Sequence, residues 1–231
     1  MSSHLPTVQP GSPGRKQVIS RDDIIQATLH LLGPHRSVST LSLREVAREA
    51  GIAPNSFYRH FRDLDELTVA LIDLAGESLR QLIAEARQRA SAEHSVVQAC
   101  TDAFMDRLRA DDPLLHLLLR EGSVGSPAFK QAIERQLTFF EEQLRLDLMH
   151  LAELKQTGLH EPALTAKAIT RLVFAMGATA LDLSEDQYAE FSRQIVAMVR
   201  IIISGTQTLA HGSGTQRAQK VQAVSNPMST G

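Results

Sequence analysis

Apolar residues recur along this chain at spacings of three and four with little strict alternation, a period that belongs to helices rather than strands. The clearest run is Phe129, Ile133, Leu137, Phe140, Leu144, Leu148 and Leu151, which predicts a long amphipathic helix. Its opposite face adds Phe139 and Leu146. Upstream, Ile25, Leu29 and Leu32 form the inward stripe of a first helix, opened by Ser20 and Asp23 in capping-box order and closed by Gly33-Pro34. A second capping box, Ser42 with Glu45, starts a helix burying Leu43, Val46, Ala47 and Ala50, and Gly51 ends it. Pro54 suits the first position of a short third helix ending near Phe61. From Asp63, with Glu66 in its first turn, a long helix carries Leu67, Leu71, Leu74, Leu82 and Ile83 towards Arg89. The next presents Val96, Cys100, Phe104 and Leu108 and stops before Asp111-Asp112-Pro113. Leu114 to Leu119 reads as a leucine-rich turn segment and Gly122 to Pro127 as a loop. Helices over Pro162 to Leu181 and Glu185 to Thr206 complete the pattern.

The expected fold class is all-α, with an N-terminal three-helix helix-turn-helix domain and a C-terminal helical domain. Residues 1–19 read as a flexible basic arm, 20–62 as the small helical unit, 63–207 as the body and 208–231 as a disordered tail rich in Gly, Ser and Gln. With 231 residues, 43% of them hydrophobic, the chain is long enough to build a real core. Its one cysteine, Cys100, excludes a disulfide within the chain, and no Cys/His spacing suits a structural metal. Met1 to Gly14 lacks the layout of a signal peptide, and the apolar stretches Leu172 to Leu181 and Ile195 to Ile203 fall short of the roughly 20 residues of a spanning helix. A cytoplasmic location follows as the expectation.

Net charge is only -2, but its distribution is uneven: +4 over residues 1–62, -8 over 63–207 and +2 over 208–231. A small basic module on an acidic body suggests that one end meets a polyanion. Ser42 to Phe61 carries that reading. Val46, Ala47, Ile52, Phe57 and Phe61 can make a small core between two crossed helices, with Gly51 at the turn. Asn55, Ser56 and Arg59 then project from the opposite face of the third helix, with Tyr58 and His60 on its flanks. Arginine reads guanine and asparagine reads adenine in the major groove, whereas Ser, Tyr and His side chains more often hold phosphates. Ser42 and Arg44 sit at the start of the second helix, within reach of the same backbone, and Arg15 and Lys16 offer a minor-groove arm. Set against this are a helical hairpin that packs on another protein, for the segment, and an ordinary solvated terminus, for the arm.

The segment Leu41 to Leu67, LSLREVAREAGIAPNSFYRHFRDLDEL, resembles the TetR-type repressors, whose signature ends in Tyr-x-His-Phe as Tyr58 to Phe61 do here. With LLLRE at Leu117 to Glu121 and the Gly/Ser loop after it, the chain is similar to the FabR and DesT group that represses unsaturated fatty acid synthesis. The resemblance is dense over residues 20–67 and thin beyond. It implies a homodimer on a palindromic double-stranded DNA operator, with a body that senses long-chain acyl-CoA. Candidate cavity residues are Leu71, Leu74, Phe104, Leu108, Leu115, Leu118, Phe129, Ile133, Phe140, Val173 and Met176, with Arg120 towards the thioester or a phosphate. Ordinary core packing, and an ion pair for Arg120, are the plain alternatives. Ala175, Gly177, Ala178 and Ala180, with Tyr188, Phe191, Ile195, Val199 and Ile202, suggest a dimer face, against packing within one chain.

No catalytic residues, cofactor or metal are expected: there is no G-x-S-x-G, His-Glu-x-x-His, P-loop or dinucleotide glycine pattern, and His116, His150 and His160 are scattered. Two other functions stay open: a sensor of drugs or other hydrophobic small molecules controlling efflux or detoxification genes, and an acyl-CoA-binding helical adaptor without operator specificity.

Overall fold

The computed structural model describes residues 19–32, 36–90, 95–124 and 126–225, without the side chains of 122–124 and 212–225. Arg15, Lys16, the Gly33-Pro34 break and residues 226–231 lie outside the described residues. Among the described residues nine α-helices and no strands occur: α1 Arg21–Leu32, α2 Leu43–Glu49, α3 Pro54–Phe57, α4 Leu64–Arg89, α5 Val96–Arg109, α6 Pro113–Val124, α7 Pro127–Leu154, α8 Pro162–Ala180 and α9 Tyr188–Ser225.

Local chemistry sets most of the helix starts. Ser20 and Asp23 exchange bonds, the Ser20 N–H donating to Asp23 Oδ2 at 2.8 Å and the Asp23 N–H to Ser20 Oγ at 3.1 Å. Ser42 and Glu45 do the same for α2. At α4 the pattern is split: Asp63 accepts from the Glu66 N–H at 2.8 Å, while Glu66 reaches back to the N–H of Arg62 instead of the capping residue. Each arrangement satisfies backbone donors that a helix start leaves open.

Within the first unit, α1 turns its inward face further than its leucines imply, with Ile24, Thr28 and Leu32 at the centre and Leu29 at the rim. Thr28 tolerates burial because its hydroxyl donates to the Ile24 carbonyl at 2.7 Å. Gly51, at φ +68°, supplies the left-handed residue between α2 and α3. The α3 helix is a single turn, and the chain then curls through Tyr58–His60 with the Phe61 N–H returning to the Phe57 carbonyl.

The body differs from the expected pattern in two places. Leu114 to Leu119 are helical, not turn-forming: α6 runs Pro113–Val124 and takes in most of the expected loop, because five successive residues from Leu115 to Leu119 are buried and only a helix pairs their backbone groups internally. The final helix also passes its expected end at Thr206 and reaches Ser225, and extending an existing helix costs far less than starting one. In the assembled body α4 packs on α5, α6 and α7, α7 lies along α8, and α9 closes the bundle against α5 and α8. No helix among the described residues is long and apolar enough to cross a membrane.

Because a Cβ at Gly51 meets nothing within 4 Å, Gly51→Ala tests backbone strain alone. We expect a loss of about 1 kcal/mol, read as a lower urea midpoint at unchanged slope, with Gly51→Asn losing less.

Candidate nucleic-acid interface and interior cavity

Phe57 and Phe61 are fully buried, their ring centroids 5.6 Å apart, and with Val46, Ala47 and Ile24 they fill the small unit. Ile52 is only partly covered. Burying those rings leaves the other side of the turn in water. Asn55, Arg59 and Tyr58 are exposed, while Ser56 and His60 are half-buried. Tyr58 is 59% exposed yet oriented, its ring meeting Phe57 edge-on at 5.9 Å and 89°. Ser42 and Arg44 are exposed at the start of α2; seven of the nine candidate DNA contacts fall within residues 42–60, and the other two, Arg15 and Lys16, lie outside the described residues.

The capping box also fixes a charge. Bonds from Ser42 and from Arg36, which reaches Glu45 Oε1 at 3.0 Å, hold the Glu45 carboxyl down at about 2. Arg36 also donates to Thr40, so one guanidinium ties the α1–α2 connection to the start of α2.

The body holds a half-open cavity of about 180 Å³ between α4, α5, α7, α8 and α9. Its wall is mostly apolar, with Phe104, Phe140 and Val173 of the candidate residues on it and Phe174 packed 5.7 Å from Phe140, centroid to centroid. The remaining candidates lie elsewhere. Leu71, Leu108, Leu115, Leu118, Phe129 and Ile133 are buried core, Leu74 and Met176 pack against that core, and Arg120 sits at the junction with α1 beside Leu32, Arg36 and Glu121. The cavity instead recruits Leu79, Ile83 and Arg87 from further along α4, with Leu144, Asp147 and Leu151 from α7. No sequence signal separates these from core, since both obey the same helical period.

Arg87 and Asp147, at 2.7 Å, place one compensated charge pair on that wall. Burial raises the Asp147 carboxyl despite Arg87 and His150, and it raises the Cys100 thiol, also on the wall, despite Arg87. A thiol so placed stays protonated and is a poor nucleophile. Among the described residues no group of three or more His, Cys, Asp or Glu could hold a metal ion.

The supposed dimer face is largely interior. Gly177 and Ala180 point inward, and Tyr188, Ile195 and Val199 belong to the chain's own core, Tyr188 donating to the Ala180 carbonyl at 3.1 Å. Phe191 and Ile202 pack against that core, and Ala178 is half-buried, which leaves Ala175 exposed. The large apolar residues that α8 and α9 turn outward among the described side chains are Leu164, Met198, Ile201 and Leu209.

Residues 24–71, which run from α1 into α4, match the family model described as bacterial regulatory proteins, tetR family. Over this stretch the N-terminal unit is similar to the helix-turn-helix domain of that family. Solved structures extend the likeness of fold over the body: a transcriptional regulator from Rhodococcus sp. Rha1 is 16% identical over 81% of this chain and 98% of its own, with a TM-score of 0.66. A TetR-family transcriptional regulator from Streptomyces coelicolor is 15% identical over 81% and 95%, TM-score 0.61. AibR, solved in complex with isovaleryl coenzyme A and operator DNA, is 12% identical over 78% and 97%, TM-score 0.57. At such identities the likeness is one of fold. The matched family is one of bacterial regulatory proteins, and the two proteins named first are transcriptional regulators.

Two measurements check this geometry. Because the folded Glu45 carboxyl lies below its unfolded value of 4.5, its contribution is complete above pH 4.5 and lost as pH falls towards 2. In thermal melts Glu45→Gln should flatten the acid side of the stability profile and lie below the native chain at pH 7. At Gly177 a Cβ would stand 2.6 Å from Phe104 Cζ and 3.2 Å from Leu119 Cδ2. Gly177→Ala should therefore cost about 1–3 kcal/mol, and Phe104→Leu should recover part of it in a double-mutant cycle.

Proposed function

We propose that the chain is a homodimeric transcriptional repressor that binds a palindromic operator and releases or strengthens its hold in response to a hydrophobic effector. The carrying observation is the α2–α3 surface, where Arg44, Asn55, Tyr58 and Arg59 stand in solvent directly behind the buried Phe57 and Phe61. Arg59 and Asn55 read base edges; Ser42, Ser56, Tyr58 and His60 hold phosphates, and Arg15 and Lys16 add the arm. A two-fold pair of such units about 34 Å apart meets successive major grooves. The outward Leu164, Met198, Ile201 and Leu209 are the apolar surface that a second copy covers.

The effector reading is a long-chain acyl-CoA, with unsaturated fatty acid synthesis or desaturation as the regulated process. The largely apolar cavity supports it, as does the fold-level likeness to AibR, whose complex holds an acyl-CoA and operator DNA together. Only the acyl portion suits the cavity, since Arg87 is already matched by Asp147 and the phosphates must stay outside. That same compensated pair supports a second reading, an uncharged hydrophobic compound as effector. Either ligand acts only by binding the DNA-competent and incompetent forms unequally. The α4 helix spans both sites, with Leu79, Ile83 and Arg87 on the cavity and its cap Asp63 two residues beyond Phe61.

Selection of duplexes from a random pool, followed by fluorescence anisotropy at fixed salt, tests the reading. We expect an enriched palindrome, a loss of about 1–3 kcal/mol for Arg59→Ala, and opposite shifts with palmitoyl-CoA and oleoyl-CoA. A palindrome bound equally with either acyl-CoA would move the effector to the uncharged class. No enrichment at any salt would overturn operator binding and leave the acyl-CoA adaptor.

A further inference from the structure

The body reaches into the small unit through one buried side chain. Glu121, on α6, is 1% exposed, and its Oε1 accepts from Ser37 Oγ at 2.7 Å and from the Val38 N–H at 3.0 Å. Both donors lie in the α1–α2 connection, more than eighty residues earlier in the chain, where Val38 opens a 3-10 turn capped by Ser37. The other oxygen, Oε2, is buried without a hydrogen-bond partner among the described residues.

That arrangement is a poor device for stability. A carboxyl group withdrawn from water with half its acceptor capacity unused costs more than an apolar side chain of the same size would. What it supplies is direction. The surface around it mixes apolar Leu32, Leu117 and Pro113 with Arg36, His116 and Arg120, and apolar burial is non-directional, so its apolar part by itself would let the small unit pivot. One oxygen holding two donors of a single turn removes that freedom. The same helix borders the cavity wall: Leu119, two residues before Glu121, and Phe104, which lines the cavity, crowd the same face of Gly177.

Building on the operator-binding reading above, we propose that Glu121 is a positioning residue that fixes the angle of the helix-turn-helix unit on the body, and so the separation of the two units across a palindrome. It touches no DNA itself.

The test compares Glu121→Ala and Glu121→Gln in the full chain, by anisotropy on the enriched palindrome and on a duplex carrying one half of it. Glu121→Ala should lose about tenfold on the palindrome and nothing on the half-site, because the small unit is intact and only its placement is lost. Glu121→Gln should bind as the native chain does, its amide oxygen still accepting from Ser37 and Val38. Hydrogen exchange should show the Val38 amide newly open in Glu121→Ala alone. Should Glu121→Ala not fold, Ser37→Ala removes one of the two donors and should show the same selective loss at smaller size. Palindrome binding equal to the native chain in whichever variant folds, or equal losses on palindrome and half-site, would overturn the proposal while operator binding stands. A native chain that enriches no palindrome would overturn both.

Discussion

The buried face of α4 is shared by two cores. Leu67, near its start, and Leu71 and Ile72, one turn on, are fully buried, and the helix packs on α1 at one end and on α5, α6 and α7 along its length. Neither unit closes without it. A 26-residue helix spans about 39 Å, so this member links the turn after the recognition segment to the cavity wall without a joint. Its two ends must move together, and a body built around it can hardly change shape without the small unit registering the change.

Around that axis several polar side chains tie one helix to another. Arg171 of α8 donates to Glu134 and Glu141 of α7, two turns of one helix gripped by one guanidinium, and this pairing lowers Glu134 and raises Arg171. Gln136 of α7, buried against α4, accepts from Arg80 and donates to Asp73. Apolar burial supplies the cohesion, while these bonds fix which turn faces which. The cavity lies where such ties give way to leucines and phenylalanines, and Arg87–Asp147 is a salt bridge on its wall.

Much of this was legible from residue order alone. The caps at Ser20, Ser42 and Asp63, the Gly51 turn, the long α7 stripe and the solvent face of α3 all follow from local rules that operate within four residues. What eluded such rules depends on distant partners. Leu115 to Leu119 look like a turn until the packing that buries them is known, and Phe129 and Ile133 look as eligible for a cavity as Phe140 does. Tyr188, Ile195 and Val199 show the same ambiguity, since an apolar stripe does not say whether its own chain or another covers it. Glu121 entered only as part of a resemblance, and nothing in residue order pointed to its bonds, because its partners stand more than eighty residues away.

The chain has two tyrosines and no tryptophan, and the fold deals one to each unit. Tyr58 is in water beside α3, whereas Tyr188 is buried, its hydroxyl bonded to Ala180 and its ring under the Arg109 guanidinium at 5.4 Å. Burial raises the Tyr188 phenol. An added cosolvent reaches the Tyr58 ring and not the Tyr188 ring, so a solvent-perturbation difference spectrum reports on the small unit of the folded chain without any label being attached.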